Sequence, residues 1–125
     1  MDRNKLTYEI RGAAFRVHTR LGPGLLESVY EKCLVYELKK QFAVATQVMV
    51  PFQYETLHLD IGYRMDVVVE NLVVLELKAV EKLLPIHSAQ LLTYMRLANI
   101  ELGLLMNFNV RNMQKGIERY ILKRG

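Results

Sequence analysis

The sequence is poor in several features that would indicate particular classes of protein. It has a single cysteine, Cys33, so no internal disulfide can form, and a reducing compartment such as the cytoplasm fits this composition. No apolar run approaches the length of a membrane span, and the polar, acid-bearing N-terminus does not resemble a secretory signal. The three histidines form no HxxH or HExxH pair. A zinc site is therefore not indicated, and we expect no contact with a membrane.

The bulk composition is that of a folded domain. The chain has 125 residues, of which 51% are hydrophobic and 24% charged, so it can bury a core of ordinary size. No linker, internal repeat or low-complexity tract divides it, which predicts one domain over residues 1–125. The net charge of +4 mildly favours a polyanionic partner such as nucleic acid.

Hydrophobic periodicity predicts a mixed α/β fold. Helical spacing is present in residues 7–21, 25–41 and 83–99. Residues rich in strand formers are 44–55, 59–70, 72–79, 102–108 and 116–122, with Pro51 marking an edge or a bulge in the first of these strands. The order α-α-β-β-β-α-β-β predicts a sheet built on hairpins, with helices packed against it.

A group of charged residues in the central hairpin is unexpected. If the loop around Asn71 has three residues, Asp66 lies opposite Glu76, and a two-residue loop shifts this register by one. Glu76 and Lys78 are two residues apart, so they share a face of their strand. Their neighbours are apolar on both faces, as in a covered strand, where charged residues are rarely buried unless paired. The simplest alternative is a cross-strand salt bridge on a solvated face.

A third acid belongs to the same group. At roughly 100° per residue, Glu27 projects within about 20° of Leu34 and Leu38, on the core-facing stripe of the second helix. Glu27, Asp66, Glu76 and Lys78 together carry a charge of −2, from three acids and one lysine. A divalent cation would neutralise that charge, and Mg²⁺ and Mn²⁺ prefer carboxylate oxygens.

These residues resemble a known signature. Asp66 followed by Glu76-Leu77-Lys78 resembles the D…(D/E)xK signature of the PD-(D/E)XK nuclease superfamily, and Gln90 with Tyr94 resembles its QxxxY motif. The stretch Gly24–Tyr30, "GLLESVY", is similar to the GxxExxY motif that names one family of short bacterial and archaeal chains within it. Met65 stands where the signature has proline, a departure that the superfamily tolerates.

The resemblance implies a fold, an activity and a set of roles. The fold would be a restriction-endonuclease-like core, a mixed β-sheet flanked by helices, and the activity Mg²⁺- or Mn²⁺-dependent hydrolysis of phosphodiester bonds, with DNA the expected substrate. Asp66 and Glu76 would bind the metal and Glu27 would complete the acidic set. Lys78 would hold or activate the attacking water, and Gln90 would orient the site.

Tyr30, Tyr94 and His87 could line the cleft, and His87 and Tyr30 each have a second interpretation. His87, Gln90 and Tyr94 follow i, i+3, i+7 spacing and would line one helix face toward the site, although a polar residue near a helix start is the commoner role for His87. Tyr30 either lines the cleft or packs in the core.

Other functions stay open at this point. A binding module that keeps the nuclease fold without turnover is the main alternative, and a structural domain with a satisfied salt-bridge network is another. No separate DNA-recognition domain is evident, so a homodimer that presents two sites to a duplex is compatible with the sequence. A basic C-terminal segment would contact phosphates only if it flanks the cleft; its members are Arg111, Lys115, Arg119, Lys123 and Arg124.

Overall fold

Three helices and seven strands are present in the computed structural model, which describes residues 1–123. The helices are α1 (Arg3–Leu21), α2 (Glu27–Leu38) and α3 (Pro85–Ala98). The strands are β1 (Val44–Met49), β2 (Phe52–Tyr54), β3 (Leu57–Leu59), β4 (Arg64–Val69), β5 (Val73–Lys78), β6 (Leu102–Asn107) and β7 (Ile117–Ile121). A short 3₁₀ helix, Met113–Gly116, precedes β7. None of the helices in this part of the chain combines the length and apolar character that crossing a bilayer requires.

The main sheet has five strands in the order β1-β4-β5-β6-β7. Neighbouring strands are antiparallel except β5 and β6, which are parallel and are joined by α3. Because β5 and β6 run in the same direction, their last residues, Lys78 and Asn107, are paired where both strands end. Strand β4 runs the opposite way, so its first residues lie at the same end of the sheet. Residues from three strands therefore meet at this end.

The sheet is covered on both faces. Helices α1 and α2 pack on one face, where Ile10 and Leu34 share a core with Val67 and Leu75. Helix α3 packs on the other face, in a core that includes Val68, Val74, Leu91, Met95 and Leu105. The contact of α3 is close at Gly103, where an added Cβ would lie 2.5 Å from the Met95 sulfur. Coverage of both faces explains the nearly continuous apolar runs of β4 and β5.

The predicted order of helices and strands holds for the three helices and the five strands of the main sheet, but β2 and β3 were not predicted and several boundaries were wrong. The stretch 44–55 is not one strand: β1 ends at Met49, and residues after Pro51 form a separate two-stranded sheet, β2 with β3. Proline has no N–H to donate to a ladder, and the chain turns there, with the Phe52 N–H donating to the Val50 carbonyl at 2.9 Å. The predicted strand 59–70 accordingly begins only at Arg64.

The second helix is shorter than its apolar pattern. It was predicted over residues 25–41 and spans Glu27–Leu38. Gly22 and Gly24 have φ of 70° and 100°, values that residues other than glycine rarely adopt. The turn that they form continues through Leu26. Glu27 is consequently the first residue of the helix, where a carboxylate suits the positive end of the helix dipole.

Candidate active site

The hairpin between β4 and β5 has a closed end and an open end. At the closed end, Val67, Val68 and Val69 pair with Leu75, Val74 and Val73 around a loop of three residues, 70–72. This register confirms the three-residue alternative, and its continuation places Asp66 opposite Glu76. The regular ladder stops there. We call the region of Asp66, Glu76 and Lys78 the open end.

At the open end, carboxylates take the place of backbone carbonyls. The Asp66 N–H donates to Glu76 Oε2 at 2.8 Å, and the Leu77 N–H donates to Asp66 Oδ2 at 2.9 Å. Each acid thus binds the opposite strand through one of its two oxygens. Two backbone donors that would otherwise lack a partner are satisfied, and both carboxylates are held in fixed positions between the strands.

Burial makes these two acids reluctant to ionise. Glu76 is only 4% exposed, and its burial, together with the negative charge of Asp66, raises its pKa to about 8. The hydrogen bond from the Asp66 N–H and the nearby Lys78 lower this pKa only in part. Burial also raises the pKa of Asp66, against the bond from Leu77 and the charge of Lys78. The pair therefore favours a proton or a cation beside it at neutral pH.

Glu27 lies close enough to influence the same groups. Burial raises the pKa of Glu27, the positive charge of Lys78 lowers it, and the charge of Asp66 raises it. Leu34 and Leu38 of the same helix are buried, as the core-facing stripe predicted, and Glu27 is half-buried at the start of α2. The structure therefore brings the third predicted acid toward the open end.

Lys78 lies near these acids without forming an ion pair with any described residue. It is half-buried at the last position of β5, and in residues 1–123 the recorded ion pairs involve other side chains. Its backbone is fixed, because the Phe108 N–H donates to the Lys78 carbonyl at 2.9 Å. The absence of direct ion pairing in this part of the chain argues against the interpretation of Lys78 as one half of a structural salt bridge.

A comparison of the chain with protein families identifies its superfamily. The family model described as the PD-(D/E)XK nuclease superfamily matches residues 4–120. The chain belongs to the PD-(D/E)XK nuclease superfamily. The five-stranded mixed sheet with helices on both faces confirms the predicted restriction-endonuclease-like fold. The resemblance to the GxxExxY family is compatible with this membership. Comparisons with curated proteins and with solved structures gave no match.

Nucleases of this superfamily generally use divalent metal ions, and the open end fits such an ion in part. Its donors are carboxylate oxygens, and burial of Asp66 and Glu76 favours a neighbouring positive charge. Within residues 1–123, however, no three side chains of His, Cys, Asp or Glu stand ready to hold one ion. Asp66 and Glu76 thus place two carboxylates together at the open end. The predicted third ligand, Glu27, is near this site but is not preformed with it.

The motif residues of α3 lie on the same side of the sheet. Even-numbered residues of β5 face α3, since Val74 packs with Tyr94 in the core under that helix. Burial raises the pKa of Tyr94 to about 12, with further contributions from the charges of Glu76, Tyr63 and Asp66. A hydrogen bond from Gln90 lowers this pKa in part. Gln90 and Tyr94, one helical turn apart, therefore adjoin the carboxylate pair as the superfamily motif implies.

Of the two roles expected for Tyr30, the structure shows core packing. The Tyr30 ring is fully buried and stacks on Phe108 with centroids 4.7 Å apart. Its hydroxyl donates to the Gly22 carbonyl at 2.6 Å and accepts from the Leu25 N–H at 3.1 Å. Tyr30 is therefore not a cleft-lining residue. It fixes the turn that delivers Glu27.

The structure shows the capping role for His87. Its Nδ1 accepts a hydrogen bond from the Leu84 N–H at 3.0 Å and so satisfies a backbone donor at the start of α3. This contact occupies Nδ1 in a structural task. A direct role of His87 at the acids has no support from a contact in the described part of the chain.

Asn107, which sequence reasoning did not single out, fixes the chain beyond Lys78. Its Oδ1 accepts from the Val80 N–H at 3.1 Å and from the Asn109 N–H at 3.2 Å, and its Nδ2 donates to the Val80 carbonyl at 2.9 Å. The side chain is buried and lies beside Lys78 in the parallel pairing of β5 and β6. Asn107 thereby holds the segment that follows the lysine.

Two other polar residues near the acids were also missed. Gln47 of β1 donates its Nε2 to both carboxylate oxygens of Glu31, at 3.0 and 3.2 Å. Glu31 lies one helical turn after Glu27, and the negative charge of Asp66 contributes to its raised pKa, after burial. The i, i+4 spacing of Glu27 and Glu31 was a signal that the sequence offered. Nothing in the sequence marked Gln47.

Proposed function

We propose that this protein is a metal-dependent nuclease that hydrolyses phosphodiester bonds in DNA at the open end, using Mg²⁺ or Mn²⁺. One observation carries the proposal: two desolvated carboxylates are fixed between splayed strands beside a lysine that has no ion-pair partner among the described residues. Superfamily membership implies nucleic-acid binding, and the net charge of +4 agrees with it.

Asp66 and Glu76 would hold the metal through oxygens that do not bind the opposite strand. When bound, the ion supplies polarisation of a phosphoryl oxygen and activation of a water molecule. The backbone bonds of the two acids at 2.8 and 2.9 Å keep their carboxylates from rotating, so the site needs little reorganisation. Glu27 would add negative charge from the start of α2 and favour retention of the cation.

Lys78 would act on the substrate rather than on the acids. Its ammonium group is within electrostatic reach of Glu27, Asp66 and Glu76, and its backbone is anchored by β6. From there it would orient the attacking water by hydrogen bonding and stabilise charge that develops on the phosphate. Gln90, bonded to Tyr94, would orient the α3 side of the site.

Two cations, Arg20 and Arg111, are our candidates for contact with the phosphate backbone. Two adjoining depressions share Phe15 and Thr19; one is lined by Arg111, and the other by Arg20. Arg20 lies in the last turn of α1, and Arg111 follows β6, whose end adjoins Lys78. We therefore assign phosphate contacts to Arg20 and to Arg111, the first member of the predicted basic C-terminal segment, in preference to Arg119, which donates to Asn4 Oδ1 at 3.1 Å. Arg124 of that segment lies outside the described residues.

The setting of the protein follows from weaker observations. We infer one domain over residues 1–125 that carries its own site. The single free cysteine, half-buried Cys33, favours a reducing compartment, so we place the protein in the cytoplasm, and the GxxExxY resemblance favours a prokaryotic source. A homodimer would present two sites to a duplex, which light scattering of the purified protein would detect.

A nuclease screen tests the proposal. Wild-type protein is incubated with single-stranded, duplex and branched DNA and with RNA, in Mg²⁺, Mn²⁺ or EDTA, beside Asp66→Asn purified in parallel. We expect cleavage of at least one DNA form by the wild type in metal, and none with EDTA or with Asp66→Asn. Cleavage that is equal for both proteins would reveal a contaminant. Tight DNA binding without cleavage would favour the binding module instead.

A further inference from the structure

Gln47 adopts a backbone conformation that a strand residue rarely takes. Its φ is 51°, in the left-handed region, although the residue lies within β1. Its neighbours pair normally with β4, Thr46 with Val67 and Val48 with Met65. The distortion is thus confined to one residue, and that residue lies opposite Asp66. A strained non-glycine conformation of this kind is found most often where a side chain has a task.

The two strands change faces at this point. In a regular strand Val44 and Val48 would lie on the same face, yet Val44 packs in the core under α1 and α2, whereas Val48 packs in the core under α3. On β4, Val67 and Met65 divide between the same two cores. Gln47 and Asp66 mark the position at which both strands switch. The Gln47 side chain therefore does not follow the regular alternation of side chains along β1.

The Gln47 side chain connects three elements. Its amide donates to both oxygens of Glu31 on α2, at 3.0 and 3.2 Å. Gln47 also lies opposite Asp66, between the pairs Thr46–Val67 and Val48–Met65, and hydrogen bonding from its side chain favours the ionised form of Asp66. Gln47 thus joins the helix that carries Glu27 to the strand that carries Asp66. It lies on one side of β4, whereas β5 with Lys78 lies on the other.

We propose that Gln47 is a positioning residue, whose left-handed backbone directs its amide to clamp Glu31 and Asp66 and so sets the orientation of Asp66 for a divalent cation. The proposal rests on the proposed function for its metal, but the positioning of Asp66 is a property of the protein alone. Outer contacts that orient metal ligands typically change metal affinity by about 10- to 100-fold when they are removed.

Gln47→Gly is the main variant, since glycine accepts the left-handed backbone and removes the whole side chain, including its amide. Gln47→Asn is the second, because asparagine tolerates this backbone but is one methylene too short to make the same contacts. Glu55→Gly is the matched control. Glu55 is also exposed, with φ of 53°, and it lies in the turn between β2 and β3, away from the acids.

The first measurement is amide hydrogen exchange of Leu77 by NMR without metal. The Leu77 N–H is bonded to Asp66 Oδ2, so its protection reports the position of that carboxylate. We expect exchange at Leu77 to speed up about tenfold in both Gln47 variants and to stay unchanged in Glu55→Gly, while Val68 keeps its protection in all of them. Unchanged exchange at Leu77 in both variants would overturn the positioning role.

The second measurement is Mn²⁺ affinity by calorimetry. We expect Kd to rise about tenfold or more in Gln47→Gly and to remain at the wild-type value in Glu55→Gly. Equal affinity of Gln47→Gly and wild type would overturn the link to the metal. If the wild type binds no Mn²⁺ while Leu77 still responds, the proposed function fails and the positioning of Asp66 by Gln47 stands.

Discussion

The two ends of the β4–β5 hairpin differ in what holds them together. At the closed end, Val67–Val69 and Val73–Leu75 pair through their backbones, and these side chains are buried among apolar neighbours on both faces. At the open end, the same two strands are joined through the carboxylates of Asp66 and Glu76. One hairpin thus combines an apolar stretch that stabilises the fold with an acidic stretch whose burial lowers its stability.

This difference shows how a small fold accommodates an acidic site. Burial of a carboxylate costs free energy unless its charge is compensated, and the raised pKa values of Asp66 and Glu76 express that cost. The apolar ladder next to these acids, with cores on both faces, supplies stability that offsets this cost. Substitutions at the closed end should therefore act on folding, and substitutions at the open end on metal binding and cleavage.

The largest expected effect on stability is at the closed end. Leu75 is fully buried in the core under α1 and α2, so Leu75→Ala should lower the free energy of unfolding by about 2–5 kcal/mol through loss of burial and creation of a cavity. Urea unfolding with and without Mg²⁺ would measure this loss. The comparison breaks down if Asp66→Asn, assayed in the same way without metal, is destabilised as much as Leu75→Ala.

Lys78→Ala should give the largest loss of activity. The cleavage rate should fall by about 10² or more, as for loss of a preorganised electrostatic group, while the protein stays folded in Mg²⁺ and still binds DNA. Lys78→Arg should not restore the rate, because a planar guanidinium places its donors differently. Lys82→Ala, at an exposed position four residues further on, is the control and should cleave normally.

Stability and activity must be measured on the same Lys78→Ala sample. Under the salt-bridge interpretation, removal of the lysine leaves a buried acid without its counter-charge and costs about 3–5 kcal/mol of stability. A variant that unfolds, or that cleaves as fast as the wild type, would contradict the catalytic assignment.

A smaller effect should appear in the pH dependence of metal-free stability. The pKa of Glu76 is raised to about 8 in the folded state from an ordinary 4.5, so the unfolded chain releases this proton first as pH rises. The stabilisation from this group is therefore fully present below about pH 4.5 and is lost progressively as the pH rises to about 8. Thermal unfolding from pH 5 to 8 in EDTA should show a decline of at least about 1.4 kcal/mol, one pKa unit. Glu76→Gln should flatten this decline; an identical slope would place the titration elsewhere.

The smallest effect concerns Arg20 and Arg111, the cations to which we assign phosphate contacts. Double substitution Arg20→Gln and Arg111→Gln should weaken DNA binding about tenfold at low salt, equally for all sequences, and reduce the dependence of affinity on salt. Fluorescence anisotropy at several salt concentrations would measure both. Arg119→Gln serves as the comparison, and a larger loss from Arg119→Gln would move the phosphate path to β7.

Local patterns were enough to predict the open end. The alternation of β5 placed Glu76 and Lys78 together, and the turn at Asn71 placed Asp66 opposite Glu76 to within one residue. The helical stripe through Leu34 brought Glu27 toward them. These features follow from fixed periods of 2.0 and 3.6 residues, which short segments of sequence contain.

Features that depend on distant contacts were not predictable in this way. Pro51 indicated an edge or a bulge, but whether the following residues continue β1 or form a separate sheet is decided by their partner, β3. The left-handed Gln47 carries no local signal, since its conformation is stabilised by Glu31 and by pairing of its neighbours with β4. The role of Tyr30 in the core likewise depends on a contact that the sequence does not show, the hydrogen bond from its hydroxyl to the Gly22 carbonyl.

The most direct test of a metal site at the open end is the melting temperature with and without Mn²⁺. At 100 times its Kd, the ion should stabilise the wild type by about 2.7 kcal/mol through binding to the folded state. Glu81→Gln, at an exposed acid beyond β5, should gain as much, whereas Glu76→Gln should lose the gain while melting no lower than the wild type without metal. A rise in Glu76→Gln equal to that of the wild type would contradict the assignment of the metal to Asp66 and Glu76.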